Sequence, residues 1–407
     1  MSLKNRSVRL LILTVSATAM LLPGASLAQA GNLMVLNKAP LGDAFYTASA
    51  KQIKDGKPGS VIWSREVKKT ANGRVALPSA SKTILVLYRS LDPKGKPIAV
   101  SGTIDLPKGK APKGGFKSIS WAHGTTGAAD ICAPSRNAAG NPADGYISYA
   151  TASYDAWVKA GYAVLRTDYE GLGTPGPHRY LVGASEGRSV VDIAIAAREL
   201  FQVGKDWLIG GHSQGGHASL FAAALAPKLA PKLNLKGVFS YAPASHLWDQ
   251  AQLIGNLGAG SEGLSGVAIM IMYSAAREAG VDPSTLVTAE IAAKLGLIEE
   301  ACSAELAQAL GTVQPKDLLK PGVTTASIDA ALKAMNPNVK IKVPVLILQG
   351  LGDSTVFPVF TDLLVNELKA SGGKVDYRTF AGLSHSGVVT DAAVKNAVSA
   401  WIKARLG

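Results

Sequence analysis

The stretch DWLIGGHSQGGHASL, residues 206–220, decides the fold. An apolar run, Trp207-Leu208-Ile209, leads straight into four glycines set around one serine: Gly210, Gly211, Ser213, Gly215 and Gly216. A buried strand gains nothing from glycine, which loses the most backbone entropy on folding and packs no side chain. Glycines at this density therefore mark a backbone shape that other residues would obstruct. Strand, Gly-x-Ser-x-Gly, helix is the arrangement of a nucleophile elbow, a strained turn that leaves the serine hydroxyl exposed at the top of the sheet. Gly211 and Gly215 then relieve collisions beside Ser213, and Gly210 and Gly216 leave further room. The competing reading is a glycine-rich turn with an incidental serine. The placement between an apolar strand and a helix argues against it.

Outward from this turn, short apolar runs alternate with helical patterns. TILVLYRS (83–90) and PIAVSGTIDLP (97–107) predict an antiparallel strand pair. Further strands are predicted at 116–124, 161–173, 206–213, 235–245, 343–353 and 374–382, and helices at 189–200, 215–226 and near 391–406. Strands alternating with helices imply an α/β fold, a mostly parallel central sheet flanked by helices. VPVLILQGLGD (343–353) is apolar throughout its strand, as one covered on both faces should be. Residues 246–342 interrupt the rhythm with Ala- and Leu-rich helical patterns such as TAEIAAKLGLIEEACSAELAQAL (288–310). They predict a helical cap inserted between the sixth and seventh predicted strands, within a core made of 31–245 and 343–407. Residues 31–80 are mixed and turn-rich.

Composition narrows the class. The chain has 407 residues, 47% hydrophobic and 17% charged, which excludes a disordered chain. Residues 1–30 have the features of a cleaved export signal: Lys4, Arg6 and Arg9, then LLILTVSATAMLL (10–22), then Ala28-Gln29-Ala30. The apolar part is short for a membrane span of about 20 residues, and no later segment is longer. A secreted or periplasmic protein is expected. The formal charge is +13; residues 1–30 carry three positive charges and no negative ones, so the remainder is +10. The lysines are scattered and seldom interleaved with aromatics, which reads as a solvated surface, with no motif for nucleic acid. Cys132 and Cys302 are the only cysteines. In an oxidising compartment they are expected to pair, two buried thiols being the alternative. No His/Cys cluster has zinc spacing, and no cofactor or metal is expected.

A serine hydroxyl needs a base, and the base an orienting acid. On such a sheet the chain order is Ser, then Asp or Glu, then His. Of six histidines only His385 lies after residue 246, in the small-residue loop FAGLSHSG past the last predicted strand. Asp353 ends the strand 343–353, where a loop can aim its carboxylate along the edge that carries Ser213. Asp249, after the sixth predicted strand, is the second candidate; Asp362 falls on a helix and Asp376 within a strand. Backbone N–H groups of Gln214 and of Thr125, in WAHGTTG, are the expected oxyanion donors, with Thr126 the alternative register. His123, His212 and His217 read as structural.

SWAHGTTGAADICAPS (120–135), GYAVLRTDYEGLGTPGPHRYLVG (161–183), GGHSQGGHASL (210–220) and VFSYAPAS (238–245), in this order, resemble the secretory lipase family of α/β-hydrolases. The spacing of LGDS and GLSHSG agrees, so the resemblance spans about 116–390. It implies an α/β-hydrolase core with a helical cap, a hydrolase of small-molecule or lipid esters, Ser213 as nucleophile, Asp353 as acid, His385 as base, and a bridge from the cysteine of CAPS, Cys132, to one in the cap, Cys302. A lipid interface met by the cap would follow. The chain departs from some members in having HGTT where they carry an acidic oxyanion-loop residue, and in lacking an additional disulfide. A peptidase or acyltransferase on the same residues, or a non-catalytic protein that binds envelope components, are the competing functions. DYEGLGTPG reads as a turn beside the site, with contact of Tyr169 or Glu170 to substrate as the alternative.

Overall fold

The computed structural model describes residues 39–67, 75–200 and 202–407. The export signal expected at 1–30 lies outside the described residues. Nine strands form one sheet: β1 (Val61–Glu66), β2 (Lys82–Leu91), β3 (Pro97–Leu106), β4 (Phe116–Ala122), β5 (Ala163–Thr167), β6 (Val203–His212), β7 (Asn234–Tyr241), β8 (Val345–Gly350) and β9 (Val375–Phe380). Their order is β1-β2-β3-β5-β4-β6-β7-β8-β9. β1, β2 and β3 pair antiparallel, β3 meets β5 antiparallel, and the remaining pairs from β5 to β9 are parallel.

The helices that position the site are α1 (Asp144–Ser148), α2 (Thr151–Lys159), α3 (Gly183–Leu200), α4 (Gln214–Leu229), α5 (Leu247–Ile254), α6 (Ser265–Ala279), α7 (Ser303–Leu310), α8 (Asp329–Ala334), α9 (Pro358–Ala370) and α10 (Ala392–Leu406). Side chains alternate across the parallel strands, so neighbours face opposite layers. Trp207, Ile209, Val345 and Ile347 pack with Val190 of α3, Leu220 of α4 and Leu364 of α9. Leu208, Leu346 and Leu348 face Trp157 of α2 and Val398 and Trp401 of α10. The sheet is thus covered on both faces, which explains its continuous apolar strands.

Between β7 and β8 the described chain contributes helices and turns and no strand. This segment has an apolar core of its own, including Ile269, Met272, Ile291, Leu306, Leu318 and Leu332, which Tyr180, Leu181 and Ala244 join to the main body. Several boundaries differ from expectation. The mixed region 31–80 contains an edge strand, β1. β5 stops at Thr167, and DYEGLG continues as a loop with Tyr169 at φ 74°. The 288–310 pattern breaks into Ala289–Ala292, Leu297–Glu300 and α7.

Candidate active site

Ser213 lies between β6 and α4 at φ 58°, ψ −118°, a conformation that non-glycine residues adopt at a cost of about 1–3 kcal/mol. The neighbours leave no alternative to glycine. A Cβ on Gly215 would lie 1.9 Å from the Ala122 carbonyl oxygen, and one on Gly211 2.0 Å from that of Gly215. β4, β6 and the start of α4 are therefore packed backbone to backbone at this point. The turn is held by the Ser213 N–H, which donates to the Tyr241 carbonyl (3.0 Å), and by the Ala244 N–H, which donates to the Ser213 carbonyl (3.2 Å). Ser213 also sits at the N-terminus of α4, where the helix dipole favours negative charge.

His385 and Asp353 meet beside this turn. The His385 Nδ1 lies 2.7 Å from the Asp353 Oδ2. The Asp353 carboxylate is fully buried and the His385 ring is 12% exposed. Asp353 accepts three further hydrogen bonds: Thr355 N–H (2.8 Å) and Val356 N–H (2.9 Å) on Oδ1, and the Gln349 amide (3.2 Å) on Oδ2. These donors suit a carboxylate and fix its plane. The other acidic candidates are engaged or placed elsewhere. Asp362 accepts from the Tyr377 hydroxyl, Asp376 pairs with Arg378, and Asp249 lies in the first turn of α5.

The loop after β4 brings Thr125 to the same edge. Its hydroxyl is bonded to that of Tyr180 (2.7 Å). Among the described residues, no acceptor takes the backbone N–H of Thr125 or of Gln214. The loop is fastened to the helical segment: Ser303 N–H donates to the Thr126 carbonyl (3.0 Å), Gly127 bridges Cys302, and Cys132 and Cys302 form a disulfide. Beneath it, His123 donates from Nδ1 to the Gly124 carbonyl (2.7 Å), and burial lowers its pKa to about 4, which keeps it neutral.

Several residues here carry no sequence signal. The Gln214 amide donates to Glu186 (2.7 Å) and faces His178 (2.9 Å), both buried. His178 belongs to the DYEGLGTPGPHRY loop and donates from Nδ1 to the Glu170 carbonyl (2.9 Å), so this loop helps hold the residue after Ser213 in place. Tyr169 is fully buried and donates to the His123 carbonyl (2.8 Å), while Glu170 binds Ser185 and Arg179. Both are committed within the protein. Tyr146 and Tyr149, on and just after α1, surround His212, and the Tyr146 hydroxyl also faces the Ser213 side chain. Among the described residues, no group of three or more His, Cys, Asp or Glu side chains is arranged to hold a metal, and no helix is long and apolar enough to cross a membrane.

Comparison with known proteins gives the same fold. Candida antarctica lipase A superposes with a TM-score of 0.72 at 20% identity, over 85% of this chain and 83% of that one. The rice cell wall degrading esterase LipA from Xanthomonas oryzae gives 0.67 at 17% identity, over 86% and 99%. These likenesses bear on the fold, an α/β-hydrolase. In sequence, the chain is 28% identical over 204 residues to Lipase 6 of Candida albicans, covering 48% of this chain and 42% of that protein. It is 30% identical over 239 residues to the secreted triacylglycerol lipase LIP3 of Malassezia restricta, covering 56% and 48%. The matches thus span less than half the length of these relatives. The family model for secretory lipases matches residues 146–407, from α1 to the end of α10. The chain belongs to the secretory lipase family.

Proposed function

We propose that this protein is an exported serine hydrolase of carboxylic esters. The observation that carries the reading is the His385–Asp353 contact of 2.7 Å beside a serine held at positive φ between a buried strand and a helix. Ser213 Oγ attacks the ester carbonyl and its proton passes to His385 Nε2. Asp353 accepts from His385 Nδ1, which leaves Nε2 as the base and stabilises the imidazolium that forms. The oxyanion is held by the N–H groups of Thr125 and Gln214. Collapse returns the proton from His385 to the leaving alcohol. Water, deprotonated by the same imidazole, then attacks the acyl-Ser213 ester; His385 returns that proton to Ser213 Oγ as the acid is released.

The helical segment 246–342 serves as a cap in this reading. Leu247, Ile254, Ile269, Met272, Leu318 and Ile328 line an apolar cavity within it. The segment begins close behind Ala244, which bonds the Ser213 carbonyl.

The test is hydrolysis of p-nitrophenyl esters from C2 to C16, with Ser213→Ala alongside. The expected result is ester turnover in the wild-type protein that falls to background in the variant, with the chain length of the best ester separating an esterase from a lipase. Turnover that persists in Ser213→Ala would place the chemistry elsewhere. A protein inert toward every ester would refute the reading.

A further inference from the structure

The residue before Ser213 is itself a histidine, and the mechanism above does not use it. His212 is completely buried, with its ring centroid 4.5 Å from that of His385. Its Nε2 lies 3.0 Å from the backbone carbonyl oxygen of His385. A carbonyl only accepts, so His212 carries its proton on Nε2 and donates it there. Nδ1 is then the acceptor of a neutral ring, and the Tyr149 hydroxyl stands 2.6 Å from it as donor. The Tyr146 hydroxyl is a weaker neighbour of the same nitrogen at 3.4 Å. Tyr146 and Tyr149 pack against each other with centroids 4.9 Å apart, so the donor is braced by a second ring.

We propose that His212 is a positioning residue, locked in one tautomer between the Tyr149 hydroxyl and the His385 carbonyl, which fixes the base against Ser213. The inference rests on the function proposed above and deepens it. His385 belongs to a loop, SHSG, between β9 and α10, and loop residues do not hold their own orientation as strand residues do. Asp353 anchors only one side of its ring. His212, on the end of a central strand, anchors the backbone from which that ring projects and packs against the ring, tilted by 41°. The lock also keeps a second positive charge away. Burial and the neighbouring His385 hold the pKa of His212 well below the usual histidine range. The titratable groups that face it are Tyr146 and Tyr149 from the α1 side and His385 from the loop after β9. Burial raises both tyrosines, so neither ionises near neutral pH. When His385 becomes an imidazolium in the transition state, its neighbour therefore remains uncharged.

The test uses three variants of the full-length protein and two probes. His212→Phe keeps a ring and removes both nitrogens. His212→Gln restores a neutral N–H donor near the position of Nε2. Tyr149→Phe removes only the hydroxyl. One probe is steady-state hydrolysis of p-nitrophenyl butyrate. The other is the rate at which a fluorophosphonate labels Ser213, in which the serine oxygen bonds to phosphorus, fluoride leaves and the proton passes to His385. Misplacing a reacting group by about 1 Å can cost roughly 10²-fold. His212→Phe is expected to lower kcat and the labelling rate by about 10–100-fold with KM within about twofold, His212→Gln to recover most of both, and Tyr149→Phe to fall between. Equal losses in the Phe and Gln variants, tracking a lowered Tm, would reduce His212 to packing and overturn the inference. So would native rates in all three. A wild-type protein that the fluorophosphonate does not label at Ser213 would instead refute the proposed function.

Discussion

At Asp353, the hydrogen bonds dictate what an amide would do. Oδ1 receives the N–H groups of Thr355 and Val356, so in Asp353→Asn the amide oxygen must take that position. The NH₂ group then faces His385 Nδ1 and donates to it, which forces the histidine proton onto Nε2, the nitrogen that accepts from Ser213 in the proposed mechanism. The expected loss in kcat at neutral pH is roughly 10⁴-fold, the scale of the same tautomer error in serine proteases. KM should change little. Steady-state kinetics on a p-nitrophenyl ester checks this, and a loss below about tenfold would mean that Asp353 does not set the tautomer. Ser213, Asp353 and His385 are legible in sequence because each ends a predicted strand or its loop, and the order of strands fixes which edge they share. Tyr149 and His178 are not, because they reach the same edge from an irregular connection whose path through space no periodicity encodes. His212 reads as structural in sequence, and only its two ring partners, the Tyr149 hydroxyl and the His385 carbonyl, suggest a more specific role.

At the scale of elements, most strands are legible and the starts of α4 and α10 fall within one residue of expectation, whereas the start of α3 does not. The sequence pattern begins α3 at Ser189, yet the helix begins at Gly183. Gly183 and Gly187 lie in the added turns and serve close packing: a Cβ on Gly183 would lie 2.2 Å from the Phe221 ring, and one on Gly187 2.9 Å from the Ala222 nitrogen. Glycine in a helix costs about 1 kcal/mol, and contact with α4 offsets it. β1 carries no strand signal because an edge strand of mixed residues, VIWSRE, lacks a clean alternation. The packing of α3 onto β2 buries Asp192, which accepts from the Ser90 hydroxyl (2.7 Å) through one oxygen while the other has no partner among the described residues. Burial raises its pKa to about 6, against the lesser opposing effects of Ser90 and Arg188. The folded value exceeds the unfolded one, so its stabilising contribution is complete below about pH 4 and is lost as pH rises through about 6. Asp192→Asn should thus stabilise the protein more at pH 8 than at pH 4, by about 2–3 kcal/mol. Any cost of the new unpaired amide is the same at both pH values and cancels in the difference. Urea denaturation at the two pH values measures it, and equal shifts would refute the burial argument.

The whole molecule consists of a sheet with helices on both faces and a helical segment that has its own core. Two units with separate cores need a reason to keep a fixed geometry. The disulfide supplies one, because Cys132 follows the Thr125–Thr126 turn and Cys302 opens α7. The bridge closes a separation of 170 residues, for which the chain-entropy model gives about 5 kcal/mol. Its position matters as well. Gly127 pairs with Cys302, and a Cβ there would lie 2.7 Å from the Cys132 sulfur and 2.8 Å from the Cys302 Cα. The loop that would hold the oxyanion is thus pressed against the start of α7. Cys132→Ser with Cys302→Ser should lower Tm sharply. It should also lower ester turnover by about tenfold at a temperature where the variant is still fully folded, since the Thr125 N–H loses its support. Circular dichroism establishes the folded range, and turnover is compared within it. A fall in Tm with native turnover would make the bridge a stabiliser of the helical segment alone. A fall in turnover that precedes unfolding would make it part of what holds the oxyanion loop in register with Ser213.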